Sequence, residues 1–161
     1  MTWDVWHDLE ARSHIELAYA LLAGGAEALI EDLGGGWRRI TLEARLDRRA
    51  RRAALAHELV HDERGLLFDA NTPAGLVQTE ERSVQAEVIR RLVPPDALGV
   101  LLARCAEGHR SVECADVANE FDVPASIALA ALRSHARLMH PSSAPFQSGY
   151  GARTRPERRT P

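Results

Sequence analysis

The stretch Asp47-Arg48-Arg49-Ala50-Arg51-Arg52-Ala53-Ala54-Leu55-Ala56-His57-Glu58-Leu59-Val60-His61-Asp62-Glu63-Arg64-Gly65 decides the fold. Asp47 is a fitting N-cap, and Gly65 stands where a helix C-cap glycine belongs. At 100° per residue, Ala50, Ala53, Ala54, Val60 and His61 fall within about 60° of His57, with Leu55 and Leu59 on the opposite side. A helix apolar on both sides is buried on both sides, so this one should run through the middle of the domain. Arg48, Arg49, Arg51 and Arg52 crowd its first turns, where positive charge opposes the helix dipole. They read as a solvated helix end, with a basic rim facing a substrate as the alternative.

Outward from this helix, residues 1–13 hold Trp3, Trp6 and Leu9, a short amphipathic lead that should pack across the fold. Ala28–Leu33 and Trp37–Leu42 flank Gly34-Gly35-Gly36 and read as a β-hairpin. Ile15–Tyr19 alternates as a strand would, although Ala18–Ala23 suits a helix equally. On the C-terminal side, a loop is expected at 67–78 around Asn71-Thr72-Pro73-Ala74-Gly75, then a helix from Thr79 to Val93 stopped by Pro94-Pro95. Residues 96–140 read as two or three further helices, broken near Gly108 and at Asp122-Val123-Pro124. Residues 141–161 have the composition of a disordered tail.

The chain has 161 residues, 45% hydrophobic and 27% charged, a globular composition of single-domain size. Two cysteines exclude a disulfide scaffold and point to a reducing, cytoplasmic setting. No apolar run reaches the ~20 residues of a membrane span, and no secretory signal is visible. A net charge of −3 gives no whole-protein argument for nucleic acid or membrane. All 20 basic residues are arginine, which reads as genome composition rather than a phosphate-binding design.

His57-Glu58-Leu59-Val60-His61 is an HExxH motif. Histidines at i and i+4 share one helix face and suit a single zinc ion, while Glu58 stands beside them as a general base. A zinc hydrolase needs a third protein ligand, and the downstream candidates are Asp62, Glu63, Asp69, Glu80, Glu81 and Glu87. Val84, Gln85, Val88 and Leu92 all lie within about 60° of Glu81 on a helix, so Glu81 is centred on an apolar stripe. A carboxylate there needs a partner, which a zinc ion supplies. Glu81 is the favoured ligand and Glu80 the fallback. Peptide-bond hydrolysis would then use Glu58 to take a proton from water and pass it to the departing amine. Tyr19, His109, His135 and several arginines stand as candidates for stabilising the oxyanion.

The stretch Ala53–His61, followed by Glu81-Arg82-Ser83-Val84-Gln85-Ala86-Glu87 and Leu92-Val93-Pro94, resembles the ImmA/IrrE-type metallopeptidases. In that family the HExxH helix precedes a helix of the form E-x-x-A-N-x-F-A-A-x-L-L-M-P, whose first Glu completes the zinc site. Counting back from Pro94 puts that Glu on Glu81. Val84 replaces the small residue, Gln85 the Asn, Val93 the Met and Glu87 the Phe. The segment Asp116–Pro124 also resembles the family's C-terminal helices, and the resemblance spans about residues 14–135. It implies a minimal zincin-like fold and a regulatory protease that cuts a protein such as a transcriptional repressor.

Other features carry less. Cys105, His109 and Cys114 are irregularly spaced for a second metal site, and His135 and His140 are off-register for one helical face. Residues 112–133 have a helix-turn-helix rhythm, but Ala125–Leu132 carries almost nothing that reads a base edge, and Glu113, Asp116, Glu120 and Asp122 repel phosphate. The segment reads as a packing or partner-binding module, without direct nucleic-acid binding.

The expected fold is α+β: a small sheet in the N-terminal third packed on the HExxH helix, then a helical C-terminal half. One zinc metallopeptidase-like domain spans 1–140, with a catalytic core at 14–94 and a helical part at 96–140. The expected function is a cytoplasmic zinc endopeptidase acting on a protein. The alternative is a non-catalytic zinc protein that binds a partner through its helical half.

Overall fold

The computed structural model describes residues 2–65 and 72–139. It is a mixed α+β structure with the order α1 (Val5–Glu10), β1 (Ile15–Ala20), β2 (Ala28–Gly34), β3 (Trp37–Glu43), α2 (Arg48–Arg64), α3 (Ala74–Leu92), α4 (Pro95–Glu107), α5 (Cys114–Glu120) and α6 (Ala125–Met139). Position 69, the expected tail at 141–161 and His140 lie outside the described residues.

The sheet has strand order β1-β3-β2, with β1 parallel and β2 antiparallel to β3. Ile15–Ala20, ambiguous from its local pattern, is a strand because Leu17 and Tyr19 pair with Ile40 and Leu42 of β3. The hairpin turns through Gly34, Gly35 and Gly36 at φ of 82°, 64° and 84°, a run of left-handed conformations that only glycine adopts without strain. Ile40 and Leu42 of the central strand are buried completely. At its end, Glu43 accepts the Leu22 N–H and the Arg45 guanidinium at 2.7 and 2.8 Å, tying down the loop between β1 and β2.

The central helix forms as its caps dictate: the Asp47 carboxylate accepts the Ala50 N–H, and Gly65 ends the helix at φ 65°. Leu55 and Leu59 are buried completely, and the helix lies between the sheet, α1 and α3. One cluster of buried residues runs from Val5 and Ile40 through Leu59 and Val88 to Leu101, Val117 and Ile127.

Two sequence expectations need revision. The helix expected from Thr79 begins at Ala74, because Pro73 sits where a helix tolerates a missing N–H, and the Thr79 hydroxyl bonds back to Gly75 instead of capping. α3 ends just before Pro94-Pro95 as expected, and Pro95 is also the first residue of α4. The arginines of α2 are more than a solvated end: the Arg48 side chain is 78% exposed, yet it and its neighbours are also engaged by acceptors of the fold. Arg48 and Arg49 bind the Asp122 carboxylate at 2.6 and 3.1 Å, and Arg52 donates to the carbonyls of Trp3, Phe121 and Asp122. They tie the α5–α6 turn onto the start of α2, where Asp122 also supplies the negative charge that a helix N-terminus favours. Asp122 itself is at φ 51°. No helix among the described residues is long and apolar enough to cross a membrane.

Candidate metal centre

His57 and His61 stand one turn apart on α2, with their Nε2 atoms 3.1 Å apart. Glu81, from the facing helix α3, places Oε2 3.1 Å from His57 Nε2 and Oε1 3.2 Å from His61 Nε2. Ligands 2.0–2.1 Å from a tetrahedral ion are about 3.3 Å from one another, close to these separations. At these separations facing acceptor lone pairs repel one another unless a proton or a cation lies between them. The two-imidazole, one-carboxylate set therefore fits a divalent metal ion, and among the described residues it is the one such group of three or more.

Electrostatics favour the same state. His61 is 5% exposed, and burial, with His57 next to it, lowers its proton affinity against the opposing pull of Glu81. The neutral imidazole is the form a metal binds. Glu58 is buried beside the pair without joining it. Burial first, and the Glu81 carboxylate second, push its carboxyl up to about 7.

The neighbouring carboxylates are each taken by arginine. Glu80 accepts Arg64 at 2.6 Å, and Asp62 accepts Arg12 and Arg38, both at 2.7 Å. Glu63 pairs with Arg12 and Arg91, and Glu87 with Arg90 and Arg91. Of the described candidates, only Glu81 faces the histidines. The apolar stripe is real, with Val84, Val88 and Leu92 buried, but the Glu81 side chain is 43% exposed and borders the core instead of lying within it.

His57 and Glu58 open onto a cleft of about 330 Å³. Its walls are Glu27 and Ala28 at the start of β2, the alanine face of α2, Gln85 of α3, and Ser126 and Ile127 of α6. The oxyanion candidates named from sequence do not line it. Tyr19 is half exposed, with the Arg51 guanidinium 5.1 Å from its ring centre; His109 is exposed after α4; His135 faces a different groove. Gln85 and Ser126 are the neutral polar side chains lining the cleft beside His57 and Glu58, and Glu27 adds a carboxylate. Gln85 follows Glu81 by four residues, so its position was legible as the same helix face. Ser126 arrives through tertiary packing and had no local signal. Cys105 Sγ accepts from Arg110, and the Cys114 thiol donates to the Ala125 carbonyl.

No family model matches this chain, and neither a curated protein nor a solved structure shows significant similarity to it.

Proposed function

We propose that this chain is a zinc-dependent endopeptidase of minimal zincin-like fold, cytoplasmic and regulatory, that cleaves a protein substrate. The observation that carries this reading is the convergence of His57, His61 and Glu81 beside a buried, non-ligating Glu58 in an open cleft. Zinc bound by the triad would polarise a scissile carbonyl and acidify a coordinated water. Glu58 accepts a proton from the attacking water, and as the C–N bond breaks it returns that proton to the departing amine. Gln85 and Ser126 are placed to donate hydrogen bonds to the carbonyl oxygen. An extended peptide suits the cleft because β2 is an edge strand whose first residue, Ala28, lines it, so a substrate backbone can add to the sheet there. The ImmA/IrrE resemblance points to a transcriptional repressor as the protein cut.

The test is elemental analysis of the purified wild type beside Glu81→Ala and Glu58→Gln, together with mass-spectrometric mapping of new termini in a proteome-derived peptide mixture. Wild type and Glu58→Gln should each hold about one zinc per chain, while Glu81→Ala holds much less. Cleavage should fall about 10²- to 10⁴-fold in Glu58→Gln. No zinc in the wild type after metal is added back defeats the proposal. Equal cleavage by Glu58→Gln defeats the general-base role.

A further inference from the structure

A second groove lies between α3 and α6, floored by the start of α4, with a volume of about 430 Å³. Ala86, Ile89, Val93, Leu98, Ala131 and Leu138 give it an apolar lining. On α3 its residues follow the spacing 82, 85, 86, 89, 90, continued by Val93 just past the helix end, and on α6 the spacing 131, 134, 135, 138, so each helix turns one continuous face into it. Leu138 is 70% exposed there, and Met139 beside it 66%. The charged or titratable groups on the groove are Arg82, Arg90 and His135, with no acidic residue among the described lining residues. Arg82 donates to the Gln78 carbonyl and the Thr79 hydroxyl and makes no ion pair among the described residues, whereas Arg90 is already paired with Glu87.

Two observations say what covers this groove. The first is continuity: Gln85 lines both this groove and the cleft that holds His57 and Glu58, so the two adjoin at that side chain. The second is charge: an apolar surface edged by unneutralised arginine favours apolar side chains flanked by carboxylates. The shape selects the conformation. Both walls are helices, whose backbone groups are already bonded internally, so an extended strand would find no ladder to join. A helix satisfies its own backbone, and the length from Arg82 to Val93 is about 16 Å, or three helical turns.

We propose that the α3–α6 groove docks an acidic amphipathic helix of the protein substrate, holding it while a neighbouring segment enters the metal cleft. This rests on the endopeptidase reading given above. The groove is then the source of selectivity, because the metal cleft alone has few side chains with which to choose a sequence.

The test uses a displayed library of fifteen-residue amphipathic helices with randomised apolar and flanking positions, panned on full-length wild type, Leu138→Asp and Arg82→Glu. Both positions are exposed, so folding does not depend on them. Helices with Leu-type residues at i, i+3 or i+4 and i+7, and Glu or Asp beside them, should be enriched on wild type. The selected peptides should bind Leu138→Asp and Arg82→Glu at least ten-fold more weakly. No enrichment on wild type, enrichment of basic or proline-containing extended peptides, or undiminished binding to both variants overturns the groove. A selected helix joined through a randomised linker should also be cleaved at least ten-fold faster than the linker alone. Cleavage of the linker without that gain removes the substrate role. Zinc content of the same samples separates the two failures: a zinc-free protein that still enriches acidic helices defeats the peptidase reading, and a zinc-loaded protein that enriches none defeats this one.

Discussion

Arg64 binds Glu80 at 2.6 Å and thereby separates two consecutive carboxylates, leaving Glu81 to face His57 and His61. The two side chains lie about 100° apart round α3, so one arginine on the last turn of α2 reaches only the first. Glu80→Ala should keep the zinc content of wild type and cost no more than about 1 kcal/mol, as expected for a partly exposed ion pair. Glu81→Ala should lose the metal. Elemental analysis of the two variants side by side decides the assignment, and loss of zinc in Glu80→Ala alone would reverse it.

A metal held by His57, His61 and Glu81 should also appear as stability. A ligand that binds only the folded chain stabilises it by about 2.7 kcal/mol at a hundred-fold excess over its Kd. Urea denaturation with and without a strong chelator should therefore give a clear shift in midpoint for wild type. The shift should vanish in His57→Ala, where the triad is incomplete. A midpoint insensitive to chelation in a zinc-loaded wild type would place the metal somewhere other than between α2 and α3.

Arg52 holds the far wall of the cleft. Its guanidinium serves the carbonyls of Trp3, Phe121 and Asp122, each at 3.0 Å, just before the turn that delivers Ser126 and Ile127 to the cleft. Arg52→Ala leaves these acceptors without their charged donor and should destabilise the protein by about 2 to 3 kcal/mol. Arg52→Lys should recover only part of this, since one ammonium cannot reproduce the planar fork. Hydrogen exchange should quicken over 121–128 in Arg52→Ala more than in the sheet. Uniform quickening throughout would mean that the arginine supports the whole fold and not this wall.

The parts of the fold readable from sequence are those whose signals are local. Asp47, Gly65 and the two-sided apolar pattern specify α2 without reference to anything else, and the triple glycine specifies the hairpin. The pair of histidines and the angle to Glu81 follow from helical periodicity. What was not readable depends on partners distant in the chain. Ile15–Ala20 became a strand because β3 was there to receive it. The α2 arginines looked solvated because Asp122 and the Phe121 carbonyl lie about seventy residues away. The start of α3 lies earlier than the local pattern suggests because Pro73, a loop signal in sequence, is the N-cap of the helix, where its missing N–H costs no helical hydrogen bond.

Glu87 belongs to an ionic cluster and not to the core. Arg90 and Arg91 both donate to it, Arg91 also binds Glu63, and the Arg91 guanidinium lies 5.0 Å from the Trp3 ring centre. Hydrogen bonds from Arg90 first and then Arg91 outweigh the opposing effect of burial and hold Glu87 at about 2, below its ordinary 4.5. The folded chain then binds fewer protons here than the unfolded chain, so this contribution to stability is complete above the ordinary value and is lost as pH falls toward 2. Glu87→Gln should be less stable than wild type at neutral pH, and its stability should fall less steeply between pH 5 and 3 because one fewer proton is taken up on unfolding (about one unit of slope at most). Urea midpoints measured at half-unit pH steps test this. Parallel acid limbs for wild type and Glu87→Gln would show that Glu87 is no better bonded in the folded chain than in water.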